Sequence, residues 1–153
     1  MTPADLIELA RETARRDPGR PKSVSLRRSV SSAYYALFHA LAHLCADELI
    51  GSRQPYSVFT PIYRSLEHSK ARSVLNAARR AFPRGSAVEM IAVAFAALQD
   101  ARHAADYNPE PFPLSRSGTL ELIASAEEAV EALRSLPAGQ KLDLAVKLVV
   151  KPR

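Results

Sequence analysis

The stretch Arg28-Ser-Val-Ser-Ser-Ala-Tyr-Tyr-Ala-Leu-Phe-His39 sits inside a longer segment, about residues 25 to 50, whose apolar residues form two helical stripes. One stripe is Leu26, Val30, Ala33, Leu37, Leu41 and Leu44. The other is Tyr34, Phe38, Leu41, Cys45 and Leu49. Both recur at three- to four-residue spacing, the period of an α-helix. A surface helix needs one apolar stripe, and a helix with two is covered on most sides. The segment therefore reads as the central helix of an all-α domain, with Gly51 as its stop.

Four more helices are expected around it. The first runs from Pro3 to Arg16, with Thr2 as N-cap and Pro3 at the first helical position, and Asp17-Pro-Gly-Arg-Pro21 ends it. The third lies between Tyr56 and Ala81, with Phe59, Ile62, Tyr63, Leu66 and Ala77 on its core side and Pro83-Arg-Gly85 as its break. The fourth runs from Ser86 to Tyr107 and meets Asn108-Pro-Glu-Pro-Phe-Pro113, which cannot continue a helix. The fifth runs from Ser117 to Leu136, before Pro137 and Gly139. The expected fold is an up-and-down bundle of four or five helices over residues 1–137.

The tail, residues 138–153, reads differently. Leu142, Leu144, Val146, Leu148 and Val150 alternate at period two, the pattern of a strand. A lone strand leaves its backbone groups unpaired. The tail is therefore expected to be extended against a neighbour, or disordered. With the doubly apolar central helix, it argues for a homodimer.

Composition narrows the function classes. A chain of 153 residues suits one domain. Cys45 is the single cysteine, so no intrachain disulfide and no cysteine-based zinc site can form. The amino terminus lacks a basic region followed by an apolar run, and the apolar run Leu37–Leu44 is far too short to span a bilayer. The expectation is a cytoplasmic protein with no membrane partner. The net charge is +5. It is uneven: Arg53, Arg64, Lys70, Arg72, Arg79, Arg80 and Arg84 face Glu67 alone, while Glu121 to Glu131 is acidic. Such asymmetry favours an anionic partner.

Few groups have the spacing of chemistry. His39 and His43 are one turn apart, but no third metal ligand accompanies them, and no metal or other cofactor is expected. Ser31 and Ser32 share a helix with His39 and lack the sharp turn that exposes a nucleophile. Arg64, His68, Arg72 and Arg79 fall on one face of the expected third helix and form a basic surface. Arg102 and Asp106 are four apart and can pair, and His103 and Tyr107 occupy the adjacent face. Histidine moves protons near neutral pH, and arginine can hold a phosphate and its transition-state charge. The same Arg–Asp spacing also suits a plain helix-closing ion pair. Arg27 and Arg28 open the central helix, where its dipole disfavours cations, so an anionic neighbour such as Asp106 or a bound phosphate is expected there.

Arg28, the run Ala33-Tyr34-Tyr35-Ala36, Phe38-His39, and Arg102 with Ala105-Asp106-Tyr107 together resemble a small stand-alone subfamily of the HEPN superfamily, over roughly residues 3 to 136. That resemblance implies a dimeric helical bundle that binds RNA or a nucleotide. It further implies a metal-independent endoribonuclease toxin, paired with a nucleotidyltransferase-type antitoxin or acting in defence. The catalytic candidates it suggests are Arg102, His103 and His39. The RNA- or nucleotide-binding candidates are Arg28, Tyr35, Asp106, Tyr107, Arg64, Arg72 and Arg79. The family signature is an arginine and a histidine separated by four to six residues, and here Tyr107, Asn108 and Pro109 stand where that histidine would. The alternative is a non-catalytic HEPN module that binds a partner protein.

Overall fold

The computed structural model of the chain describes residues 1–151 and 153. Among them are seven α-helices: α1 (Pro3–Arg15), α2 (Ser23–Leu49), α3 (Tyr56–Arg64), α4 (His68–Ala78), α5 (Ala87–Tyr107), α6 (Arg116–Arg134) and α7 (Ala138–Val149). A short 3-10 turn, Arg79–Ala81, follows α4. The fold is an all-α helical bundle with no strand among the described residues. None of these helices is long and apolar enough to cross a membrane.

The helix ends follow local chemistry. Thr2 and Asp5 close a reciprocal capping box: the Thr2 amide donates to Asp5 Oδ2 at 2.7 Å and the Asp5 amide to Thr2 Oγ1 at 3.1 Å. The Asp17 carboxylate accepts from the Lys22 amide at 2.9 Å, just before α2 begins. Its hydrogen bond with Ser25, that backbone bond and the charges of Lys22 and Arg116 hold its pKa below the usual carboxylate value. At the far end of α2, Gly51 adopts φ +101°, a conformation that disfavours any residue with a Cβ, and its amide reaches back to the Ala46 carbonyl at 3.0 Å.

The chain divides into two compact units, and α2, α5 and α6 each contribute to both. The first comprises Met1–Leu37 and Ala94–Val130, with Ile7, Val30, Tyr34, Leu37, Phe95, Leu98 and Ile123 in its core. The second comprises Phe38–Val93 and Glu131–Arg153, with Leu41, Cys45, Leu75, Ile91, Leu133, Leu144 and Leu148 buried. Burial pushes the Cys45 thiol up to about 12, so it stays protonated and unreactive in the folded chain.

Three expectations need correction. The tail is the helix α7, not a strand or a disordered segment. Its period-two apolar residues are also two sets of four-residue repeats: Leu144 and Leu148 are buried with Ala145, while Leu142, Val146 and Val150 are exposed. Asp143 and Lys147 pair one turn apart at 2.7 Å, and Lys70 donates to the Val150 carbonyl at 2.8 Å, meeting an acceptor that the helix end leaves open. Pro137 starts this helix as its N-cap rather than simply ending the one before.

The expected third helix is also broken in two. Ser65 turns the chain at the end of α3: its amide and its hydroxyl both donate to the Ile62 carbonyl, at 3.1 and 2.6 Å. Hence Arg64 lies on α3, Arg72 on α4 and Arg79 in the 3-10 turn, and the single basic helix face does not exist. Lastly, α2 finds its cover within one chain. Leu26, Val30, Ala33, Tyr34, Leu37, Leu41, Leu44 and Cys45, from both stripes, are all buried. Phe38 and Leu49, the other members of the second stripe, are half-buried.

Candidate functional site

In the first unit, one face of α2 carries Ser31, Tyr34 and Tyr35, spaced by three and four residues. One face of α5 carries Gln99, Arg102 and Asp106 at the same period. Arg102 is only 8% exposed. Its Nε donates to Asp106 Oδ2 at 3.2 Å, and its Nη2 lies 3.5 Å from the Tyr107 hydroxyl. Its guanidinium carbon sits 5.2 Å from the centre of the Tyr34 ring, 5.4 Å from Tyr35 and 5.9 Å from Tyr107. Ring faces attract a cation, and more so where water is excluded. The other carboxylate oxygen of Asp106 accepts from Ser31 Oγ at 2.6 Å. The arginine is thus fixed by one carboxylate and three phenol rings.

Tyr34 is the deepest member. It is fully buried, meets Phe95 at 5.5 Å between ring centres, and is hydrogen-bonded to Gln99. Burial raises its pKa from 10.0 to about 12, and the nearby Arg102 charge only partly opposes this. The folded state therefore holds a proton that the unfolded chain releases above pH 10. A shift of that size contributes about 3 kcal/mol, fully present below pH 10 and lost as pH rises towards 12. Urea midpoints measured from pH 9 to pH 12 are expected to fall in this range, and Tyr34→Phe is expected to flatten part of that fall. An unchanged alkaline slope in the variant would remove Tyr34 as its source.

Around this centre the candidates divide clearly. Tyr35, Asp106 and Tyr107 are brought to Arg102. His103 is exposed, and its ring lies 5.7 Å from that of Tyr107, which is itself 67% exposed. Arg28 is exposed, and Asp106 takes Ser31 and Arg102 as partners, so the expected pairing of Asp106 with Arg27 or Arg28 is replaced. Arg27 turns instead to the end of α5, donating to the carbonyls of Ala104, Ala105, Asn108 and Glu110 at 3.2, 2.9, 2.8 and 2.6 Å. The dipole of its own helix disfavours it, but the negative end of α5 holds it.

The remaining candidates belong to the second unit. His39 Nδ1 and the Tyr63 hydroxyl are hydrogen-bonded at 2.5 Å, and burial lowers the His39 pKa and raises that of Tyr63. His43 meets the edge of Phe59, and His68 stacks on Phe38 with ring centres 4.0 Å apart. Among the described residues no three His, Cys, Asp or Glu side chains converge as a metal site would require. Arg64 is exposed, while Arg72 and Arg79 are half-buried.

No family model, curated protein or solved structure matches the chain. The HEPN resemblance rests on the motif residues themselves. Sequence reading missed three members of the site: Ser31, Tyr34 as the ring beneath the arginine, and Gln99. The signal was present as matching three- and four-residue spacings on α2 and α5, but only packing shows that those two faces meet.

Proposed function

We propose that this chain is a HEPN-type helical protein that binds RNA, with Arg102 as the group that meets a phosphate and Tyr107 as the adjoining ring on which a base or ribose rests. The observation that carries the reading is the fixing of Arg102 by Asp106 and three tyrosine rings, at a helix end where Tyr107 reaches solvent. A guanidinium held in one orientation loses little freedom on meeting an anion and can offer its planar fork. The basic residues Arg64, Arg72 and Arg79 of the second unit would add salt-sensitive attraction to the same polymer. The dimer, the nucleotidyltransferase-type antitoxin and a cytoplasmic site of action belong to this proposal through the resemblance alone.

Binding without cleavage is the form favoured by the residues that touch Arg102. They are a carboxylate already engaged twice and phenols, of which Tyr34 is held protonated. These groups can position a nucleotide, whereas moving a proton from a ribose hydroxyl near neutral pH calls for an imidazole. His103 packs on Tyr107 and is the residue a cleaving version would use. His39, paired with Tyr63 in the other unit, is not part of the proposed Arg102 group.

The test is RNA binding by fluorescence anisotropy over a salt series, with thermal melts in parallel. Arg102→Lys keeps the charge and loses the fork. It is expected to weaken binding about ten- to a hundredfold, the worth of one charge-assisted hydrogen bond, in protein that remains folded. A lowered melting temperature with unchanged affinity would make Arg102 a structural ion pair only. RNA cleavage that survives chelator and is lost in His103→Ala would replace the binding form with the catalytic one.

A further inference from the structure

Helix α3 contributes no buried residue to its unit. Yet its nine residues include two of the five tyrosines and one of the five phenylalanines in the chain. Aromatic side chains gain more from burial than almost any other. Here Tyr56 is 82% exposed, Val58 is 45% exposed, and Phe59 and Tyr63 are half-buried. Folding alone gives no reason for this concentration of rings at the surface.

The rings are also ordered. Tyr56 meets Phe59 edge to face at 6.3 Å. Phe59 lies within 27° of parallel to Tyr63, also at 6.3 Å. Tyr63 in turn stacks on His39 at 5.8 Å with 20° between planes, and His43 presents its ring to Phe59 at 5.6 Å. Residues behind the ladder hold it in place, while its outer end stands in solvent. Arg53 and Arg64 are the charged residues between Gly51 and Arg64. From Arg53 to Arg84 seven cations face the single carboxylate of Glu67. Flat apolar faces flanked by positive charge match one kind of polymer, a polyanion that carries its own flat rings.

We propose that Tyr56 and Phe59, backed by Tyr63 and His39, form a stacking platform for unpaired bases of single-stranded RNA, with Arg53 and Arg64 meeting the flanking phosphates. The identity of the polymer rests on the RNA-binding reading above, while the platform is a separate group of residues in the second unit. A duplex keeps its base faces stacked on one another, so the platform selects single strands. It reads no sequence, because every base has a face to offer.

The experiment compares a single-stranded RNA carrying 2-aminopurine with a duplex of the same sequence. For the natural chain, the single strand is expected to bind more tightly than the duplex, with 2-aminopurine emission quenched on stacking. Tyr56→Ala, whose side chain leaves solvent rather than core, is expected to melt at the original temperature and to bind the single strand about five- to a hundredfold more weakly. Duplex binding is expected to stay unchanged, and Tyr56→Phe to restore single-strand affinity. If the natural chain binds RNA but Tyr56→Ala binds it equally well, the platform is overturned and the RNA reading stands. If it binds neither form, both are overturned, and the ladder is left as a face for a protein.

Discussion

Phe95→Ala is expected to destabilise the chain by about 3 to 5 kcal/mol, the range for removing a large ring from a sealed core. Phe95 is fully buried and packs at 5.5 Å against Tyr34, which is buried too. The ring left without its neighbour cannot simply swing into the gap, because its hydroxyl is tied to Gln99 and its face supports Arg102. Phe95→Leu, which fills most of the space, is expected to cost about 1 to 2 kcal/mol. Urea unfolding gives both values. The largest loss should come with the slope on denaturant unchanged, since the surface exposed on unfolding stays the same. Equal losses for the two variants would show that this part of the core closes up around a cavity, and that Tyr34 is not propped from behind.

Arg27→Ala is expected to cost about 2 to 4 kcal/mol, although Arg27 lies at a helix start and is partly exposed. The side chain donates to four backbone carbonyls, those of Ala104, Ala105, Asn108 and Glu110, and its Nε donates to Ser23 Oγ at 3.0 Å. It also lies 5.4 Å from the centre of the Phe112 ring. These carbonyls close α5 and begin the proline-rich connector, where the chain has few other donors to offer. Water can replace part of what is lost, so the cost stays well below the sum of the separate bonds. Hydrogen exchange gives a local reading: the Asn108 amide, bonded to the Ala104 carbonyl at 3.2 Å, is expected to lose protection in the variant. Arg28→Ala, one residue on and exposed, is expected to change stability by no more than about 0.5 kcal/mol. Similar losses at both positions would mean that the charge of this helix start matters and the clasp does not.

Arg116 makes a comparable clasp at the end of α1. Its guanidinium donates to the carbonyls of Ala14 and Gly19 at 2.9 and 3.0 Å, and to that of Asp17. The sequence marked Arg27 only as a cation at a helix start and did not mark Arg116 at all, because a backbone carbonyl has no letter of its own. An arginine that pairs with a carboxylate four residues away, as Arg102 does with Asp106, leaves a pattern in the chain. One that gathers carbonyls 77 to 102 residues away leaves none.

The sequence by itself determined α1, α2, α5 and α6 and the faces they bury, because these depend on neighbours within one or two turns. Thr2 as a cap, Gly51 as a stop and the two stripes of α2 could all be read without a structure, while the return bond that Asp5 accepts from the Thr2 amide could not. It also paired Arg102 with Asp106. The same local rule failed in the tail, where every second residue of a period-two run lies four from the last, so Leu144 and Leu148 fit a strand or a helix equally well. Packing decided between them, since a helix satisfies its own backbone and can bury that pair against the second unit's core. It also decided that the run from Tyr56 to Ala81 turns at Ser65, that one chain covers α2, and that Tyr34 and Ser31 reach the Arg102 group. Periodicity tells which face a residue occupies. Which two faces meet is fixed by the whole core at once, and so only the tertiary structure brings the α2 tyrosines to the arginine of α5.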